Sequence, residues 1–169
     1  MNRQRRKIVI GVMGPGQATA VEKQNAYQLG QLIAQQGWVL LTGGRNVGVM
    51  DAASQGASSA NGLTIGILPN DNNDAISGAV DIAIITNMGD ARNNINVLSS
   101  HVVIACGMGA GTASEIALAL KGNKKVILLN DNEESQVFFK NLSPRNVYIV
   151  NDPNEAIKTA ETILSDSKI

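Results

Sequence analysis

The feature that most constrains this chain is a set of short aliphatic and β-branched runs that do not alternate with polar residues. They fall at residues 7–13, 38–42, 63–68, 80–86, 101–106, 125–129 and 147–150. A strand with one wet face alternates apolar and polar positions. A strand covered on both faces reads as a continuous apolar run, and a parallel sheet flanked by helices demands that pattern. Between the runs lie stretches of helical spacing at 20–36, 47–59, 90–99, 112–121 and 153–164. Leu29, Leu32 and Ile33 share one helical face, as do Ala156, Ile157, Ala160 and Leu164. Strand and helix alternate along the chain, so right-handed crossovers predict an α/β fold: a three-layer Rossmann-like sandwich around a mostly parallel central sheet of about seven strands.

At 169 residues the length suits one domain, here 7–169 behind a basic tail at 1–6. Lys plus Arg and Asp plus Glu number 14 each, and no basic stripe stands out, which argues against a nucleic-acid partner. No run of 18 apolar residues is present, so a membrane span is not expected. The single cysteine, Cys106, fits a cytoplasmic protein and reads as a small apolar filler. With only 17% charged residues, the surface favours burial of some area between subunits, as a homo-oligomer.

Three segments carry capping-box spacing: Thr19 with Glu22, Thr112 with Glu115, and Asp152 with Glu155, the last with Pro153 at the first helical position. Asp90 reads as the N-cap of the 90–99 helix. The polar stretches 70–74 and 130–134 read as exposed loops, the second leading into a short helix around 137–140. His101 has no companion set at metal-ligand spacing and reads as structural.

Chemistry in such a fold sits where strands run into helix N-termini, because free amide groups and the helix dipole favour anions there. Three strand exits are glycine-rich. The first, Gly11-Val-Met-Gly14-Pro15-Gly16, lacks the spacing of a dinucleotide fingerprint, and no acidic residue ends the second strand. The second is Thr42-Gly43-Gly44-Arg45, where paired glycines expose amides beside a hydroxyl and a cation. It has no Gly-Lys-Ser/Thr ending, so it is not a P-loop. The third, Gly107-Met108-Gly109-Ala110-Gly111-Thr112, sets three alternating glycines before a helix, with Thr112 as N-cap or phosphate donor. Glu115 reads either as a capping partner or as a functional carboxylate. In a first helical turn the dipole would pull its pKa down. Arg92 and Asn93, after the fourth strand, could clamp a phosphate and hydrogen-bond a sugar or base. The candidate binding residues are therefore Gly14, Gly16, Thr42, Gly43, Gly44, Arg45, Arg92, Asn93, Gly107, Met108, Gly109, Ala110, Gly111, Thr112 and Glu115.

Taken together, Thr42-Gly-Gly, Gly48-Val-Met50-Asp-Ala-Ala-Ser, Ala91-Arg-Asn93 and Gly109-Ala-Gly-Thr-Ala-Ser-Glu115-Ile-Ala-Leu-Ala-Leu120 resemble the superfamily once labelled "possible lysine decarboxylase". The resemblance covers about residues 7–165, and nothing offers a pyridoxal-phosphate lysine. One branch holds phosphoribohydrolases that cut the N-glycosidic bond of nucleoside 5′-monophosphates; another holds molybdenum-cofactor carriers. The hydrolase fingerprint resembles Pro-Gly-Gly-x-Gly-Thr-x-x-Glu. Here Gly107 and Met108 replace its proline and first glycine, Asn93 stands where a lysine would follow the arginine, and Arg45 replaces a third glycine. These departures, with Arg92-Asn93 and the helix after Gly111, bring the chain nearer the carrier branch. The resemblance implies binding of a phosphorylated, nucleotide-like small molecule, the molybdenum cofactor or a nucleoside monophosphate, by a homodimer or homotetramer, with no metal and no cofactor needed for folding. The alternative it implies is hydrolysis releasing free base, with Arg92 and Glu115 as the catalytic pair. A related module also occurs in DNA-processing proteins, which the neutral charge balance disfavours.

Overall fold

The computed structural model describes residues 6–129 and 132–167. All of the basic tail except Arg6, and Asn130 and Asp131 of the second polar loop, lie outside the described residues. Among the described residues there are seven strands: β1 (Val9–Met13), β2 (Val39–Thr42), β3 (Thr64–Leu68), β4 (Ile82–Ile85), β5 (Val102–Cys106), β6 (Lys125–Leu129) and β7 (Val147–Val150). Six α-helices accompany them: α1 (Ala20–Gln35), α2 (Gly48–Ser59), α3 (Asn93–Ser99), α4 (Ala110–Lys121), α5 (Glu133–Leu142) and α6 (Pro153–Asp166). A 3-10 turn, Gly89–Arg92, leads into α3. Every strand pairing is parallel, in the order β4-β3-β2-β1-β5-β6-β7.

The uninterrupted apolar runs are explained by the layers. Ile10, Val12, Val102, Ile104 and Ile127 point into a core with α1, α2 and α6, while Met13, Val103, Ala105 and Leu128 point into a second core with α3, α4 and α5. Alternate residues of one strand therefore enter two different apolar layers, leaving no polar position between. Helices α1 and α2 pack backbone to backbone. A Cβ on Gly30 would strike the Ala53 carbonyl, and one on Gly56 the Tyr27 carbonyl.

Strand β4 departs from the expectation of double cover. It forms one edge of the sheet, joined to β3 by a helix-free connection, and Ile82, Ile84 and Ile85 are all exposed. The connection is exposed over 71–75 but anchored beyond. Asn46 N donates to Ala75 O at 2.8 Å, Ser77 N to Gly44 O at 2.9 Å, and the buried Ser77 Oγ to Asp51 Oδ1 at 2.6 Å. Among the described residues no helix is long and apolar enough to cross a membrane.

The capping expectations divide. Thr19 and Glu22 form a complete box, and Asp152 caps α6 while Glu155 reaches back to Asn151 N rather than to the cap itself. Thr112 is not a cap: α4 begins at Ala110 with Gly109 as N-cap, so Thr112 and Glu115 lie inside the helix. Asp90 is not a cap either, because the 3-10 turn starts a residue earlier, after Met88. His101 Nδ1 accepts from Val9 N at 3.0 Å, a structural role. The short helix expected at 137–140 is longer, with Asn132 capping α5 through Ser135 N.

Candidate functional site

Beyond β1 the chain turns to α1 on one face of the sheet; beyond the adjacent β5 it turns to α4 on the other. Where neighbouring connections diverge, the carboxyl ends of the strands leave a crevice between them. A cleft of about 240 Å³ lies there, bounded by the 14–16 turn, Gly43, Arg45, Arg92, Asn93 and the first turns of α4. It unites four strand exits that are remote in sequence, those of β1, β2, β4 and β5. Of the candidates, Gly14, Gly16, Gly43, Arg45, Arg92, Asn93, Gly109, Ala110, Gly111, Thr112 and Glu115 line it.

Thr42, Gly44, Gly107 and Met108 do not line it. Buried Thr42 accepts from Gly44 N at 3.0 Å and so shapes the turn. Gly44 takes φ +75° against Gly66, and Gly107 takes φ +80° against the Glu22 carboxylate. Met108 packs on the core beneath α3 and α4. The cleft also includes Val12, Met13, Pro15, Met50 and Asp90, which sequence reasoning did not select as binding residues. Pro15 and Asp90 had a signal, one between two selected glycines and the other two residues before Arg92; the apolar ones look like any core side chain.

Arg92 ends the 3-10 turn and lies under Gly43, where a Cβ would stand 2.7 Å from Met50 Sδ and 2.9 Å from Arg92 Nη2, so any larger residue would displace these side chains. Arg92 Nη1 donates to Asn93 Oδ1 at 2.8 Å, Asn93 Nδ2 to Ser114 Oγ at 3.1 Å, and Ser114 Oγ to Gly111 O at 2.7 Å. Glu115 Oε1 accepts from Asn96 Nδ2 at 2.9 Å and lies 3.7 Å from Arg92 Nη1. Both charges are buried, Arg92 at 8% and Glu115 at 6% exposure. Burial pushes the Glu115 pKa up, against the opposing pulls of Asn96 and Arg92. This reverses the dipole-based expectation, because Glu115 sits past the first turn and out of water. Burial likewise lowers the Arg92 pKa, opposed by Glu115 and Asp90 and aided by Arg45.

Two polar atoms of the cleft walls are buried with no hydrogen-bond partner: Thr112 Oγ1 and Arg92 Nε. A buried donor left unsatisfied costs about 1–3 kcal/mol. Three wall glycines are equally unexplained by packing. A Cβ at Gly16 or Gly109 would meet only one side-chain atom, at 3.4 Å, and one at Gly111 would meet nothing within 4 Å. Their missing side chains leave space in the cleft rather than easing a crowded backbone. Among the described residues no group of three or more His, Cys, Asp or Glu could hold a metal.

A doubly wound parallel sheet, with amide-rich turns and a guanidinium converging at its switch point, defines a Rossmann-like anion-binding module. Residues 7–157 match the model of the SLOG cluster4 family, and the chain belongs to that family. The molybdenum cofactor binding protein from the phototrophic bacterium Rippkaea orientalis is similar in structure, with TM-score 0.93 and 64% identity over 95% of this chain and 99% of that one. The Moco carrier protein from Chlamydomonas reinhardtii matches with TM-score 0.90 and 49% identity, over 95% and 99%. An uncharacterised protein of Archaeoglobus fulgidus is 48% identical over 120 residues, 71% of this chain and 78% of that one.

Proposed function

We propose that this chain binds a phosphorylated, nucleotide-like ligand through its anionic end, and that the ligand is a molybdenum-cofactor type of cargo held without turnover. One observation carries the reading. Buried Thr112 Oγ1 and Arg92 Nε lack protein partners at the mouth of α4, beside glycines whose side-chain space is open. A phosphate there would take donors from both groups, from free amides of the α4 first turn and from the dipole of that helix. Arg45, an exposed residue of the cleft lining whose charge acts on Arg92, adds a second positive charge. The two structural relatives named for the molybdenum cofactor support that cargo; a nucleoside monophosphate presents the same phosphate chemistry.

A homo-oligomer belongs to this reading. Strand β4 offers an unpaired edge with three exposed isoleucines and no charged residue in it, whereas soluble monomers protect such edges with charges, bulges or cover. A second copy is the partner that such an edge fits.

The test is co-purification. Protein made in a host that synthesises the cofactor should retain molybdenum and pterin in equal amounts, and Arg92→Ala should retain neither. The same preparation incubated with nucleoside monophosphates should release no free base. Absence of both pterin and nucleotide binding overturns the reading; release of base replaces it with hydrolysis.

A further inference from the structure

We infer that the ligand's ring lies outside the cleft, in the neighbouring groove between the first halves of α1 and α2, and that this ring is a planar heterocycle presenting paired N–H donors, as an amino-oxo-pyrimidine does. The inference rests on the phosphorylated-ligand reading and adds the place and chemistry of the other half of the molecule.

Size comes first. Sites that enclose a whole drug-sized ligand run from about 300 Å³ upward, and this cleft holds about 240 Å³. It accommodates a phosphate and a sugar-sized portion, so the remainder must leave it. A groove of about 630 Å³ adjoins it, and Gly16 belongs to the lining of both. A Cβ on Gly16 would approach only Val47 Cγ2, at 3.4 Å, so the passage at this point has no side chain across it.

The groove has the chemistry for a hydrogen-bonding ring. Lys23, Gln24, Tyr27, Asn46, Asp51 and Gln55 line it. Asp51 is its one acidic residue, and its carboxylate is fixed at both ends: Oδ1 accepts from Ser77 Oγ at 2.6 Å, Oδ2 from Gln55 Nε2 at 2.8 Å. Each oxygen keeps further acceptor capacity, so a held carboxylate can take two adjacent ring N–H groups in parallel. The side-chain amides of Gln24 and Asn46 supply donors for ring oxygens, and half-buried Tyr27 supplies a flat apolar surface.

Titration calorimetry with ribose 5-phosphate, adenosine 5′-monophosphate and guanosine 5′-monophosphate separates the two halves. Guanosine monophosphate, with its N–H pair, should bind at least about tenfold more tightly than ribose 5-phosphate, the value of one charge-assisted hydrogen bond, and more tightly than adenosine monophosphate. Asp51→Asn should remove that advantage and leave ribose 5-phosphate unchanged. Because Asp51 also holds Ser77, Ala20→Trp provides a second variant: Ala20 is an exposed groove residue, and a tryptophan there fills the groove without touching the cleft. Equal binding of guanosine monophosphate and ribose 5-phosphate, or an unchanged guanosine monophosphate affinity in Ala20→Trp, overturns the ring site while the phosphate reading stands. Failure of ribose 5-phosphate to bind at all, with Arg92→Ala silent toward every ligand, removes the phosphate anchor and the ring site with it.

Discussion

Arg92 Nη1 lies 3.7 Å from Glu115 Oε1, beyond hydrogen-bond length, while the same nitrogen donates to Asn93 Oδ1 at 2.8 Å. The guanidinium is thus held in place by a neutral amide and balanced, but not engaged, by the carboxylate. Its Nε stays unpaired in the cleft wall. Arg92→Ala should weaken a phosphorylated ligand about 10- to 100-fold, the range for hydrogen bonds to charged groups. It should also lower thermal stability, because Glu115 would be left buried without its counter-charge. In Arg92→Ala/Glu115→Gln the stability should return and the affinity should not. Calorimetry and thermal unfolding on the single and double variants read the two effects separately.

The raised pKa of Glu115 gives stability a definite dependence on pH. A carboxyl whose folded pKa lies above its unfolded value, about 4.3, binds its proton more tightly in the native state. Its contribution is fully present below the unfolded value and is lost as pH rises through the folded one. Glu115→Gln, neutral throughout, should match the parent in strong acid and gain on it as pH rises toward neutrality, then hold a constant lead. Ligand binding has the same sign: an anion beside Glu115 raises its pKa further, so protons are taken up and affinity falls as pH rises. Proton uptake measured as a buffer-dependent binding enthalpy checks this; proton release would contradict it.

The layered sheet was legible in the sequence because double burial writes a two-sided apolar signature into Ile10, Val12, Val103 and their neighbours. The convergence of the Gly14, Gly43 and Gly109 turns was legible from glycine clustering at strand exits. What misled was local pattern that tertiary burial overrides. Thr112 and Glu115 carry the spacing of a capping box, yet the helix starts at Ala110, so the pair faces the cleft and α3 instead. Strand β4 has the composition of a covered strand, but its place at the edge is set by topology, which no single run of residues encodes.

Gly111 should separate stability from binding. It lies in the first turn of α4, where a Cβ would meet nothing within 4 Å. Gly→Ala in a helix gains about 0.5–1 kcal/mol where the backbone permits it. Gly111→Ala should therefore raise the unfolding temperature while weakening phosphate binding by intruding on its space. A variant that unfolds later and binds unchanged would show that the glycine does not face the ligand.

The open edge of β4 should be visible as association. Ile84 is 43% exposed on a strand with no charge of its own. Ile84→Lys places a charge on that edge, where it opposes edge-to-edge pairing. Light scattering should show the parent as a dimer or tetramer and the variant shifted toward monomer, with its circular dichroism preserved. A parent that is monomeric at all concentrations would remove the oligomer from the reading.

Thr112 offers the sharpest contrast between the empty and the bound protein. Its hydroxyl is buried, 2% exposed in the residue as a whole, and has no partner. In the unliganded state it is a liability of about 1–3 kcal/mol. Valine has nearly the same shape and lacks the oxygen, so Thr112→Val should leave the free protein as stable as its parent or more so. With ligand the sign reverses. The hydroxyl that was unsatisfied now donates to a charged oxygen, and its removal should cost about 10-fold in affinity or more. A purely structural threonine would move stability and affinity together, so thermal unfolding in the absence of ligand, set beside a binding isotherm, decides between the two roles. Thr112→Ser, which restores the donor in a smaller side chain, should recover most of the affinity.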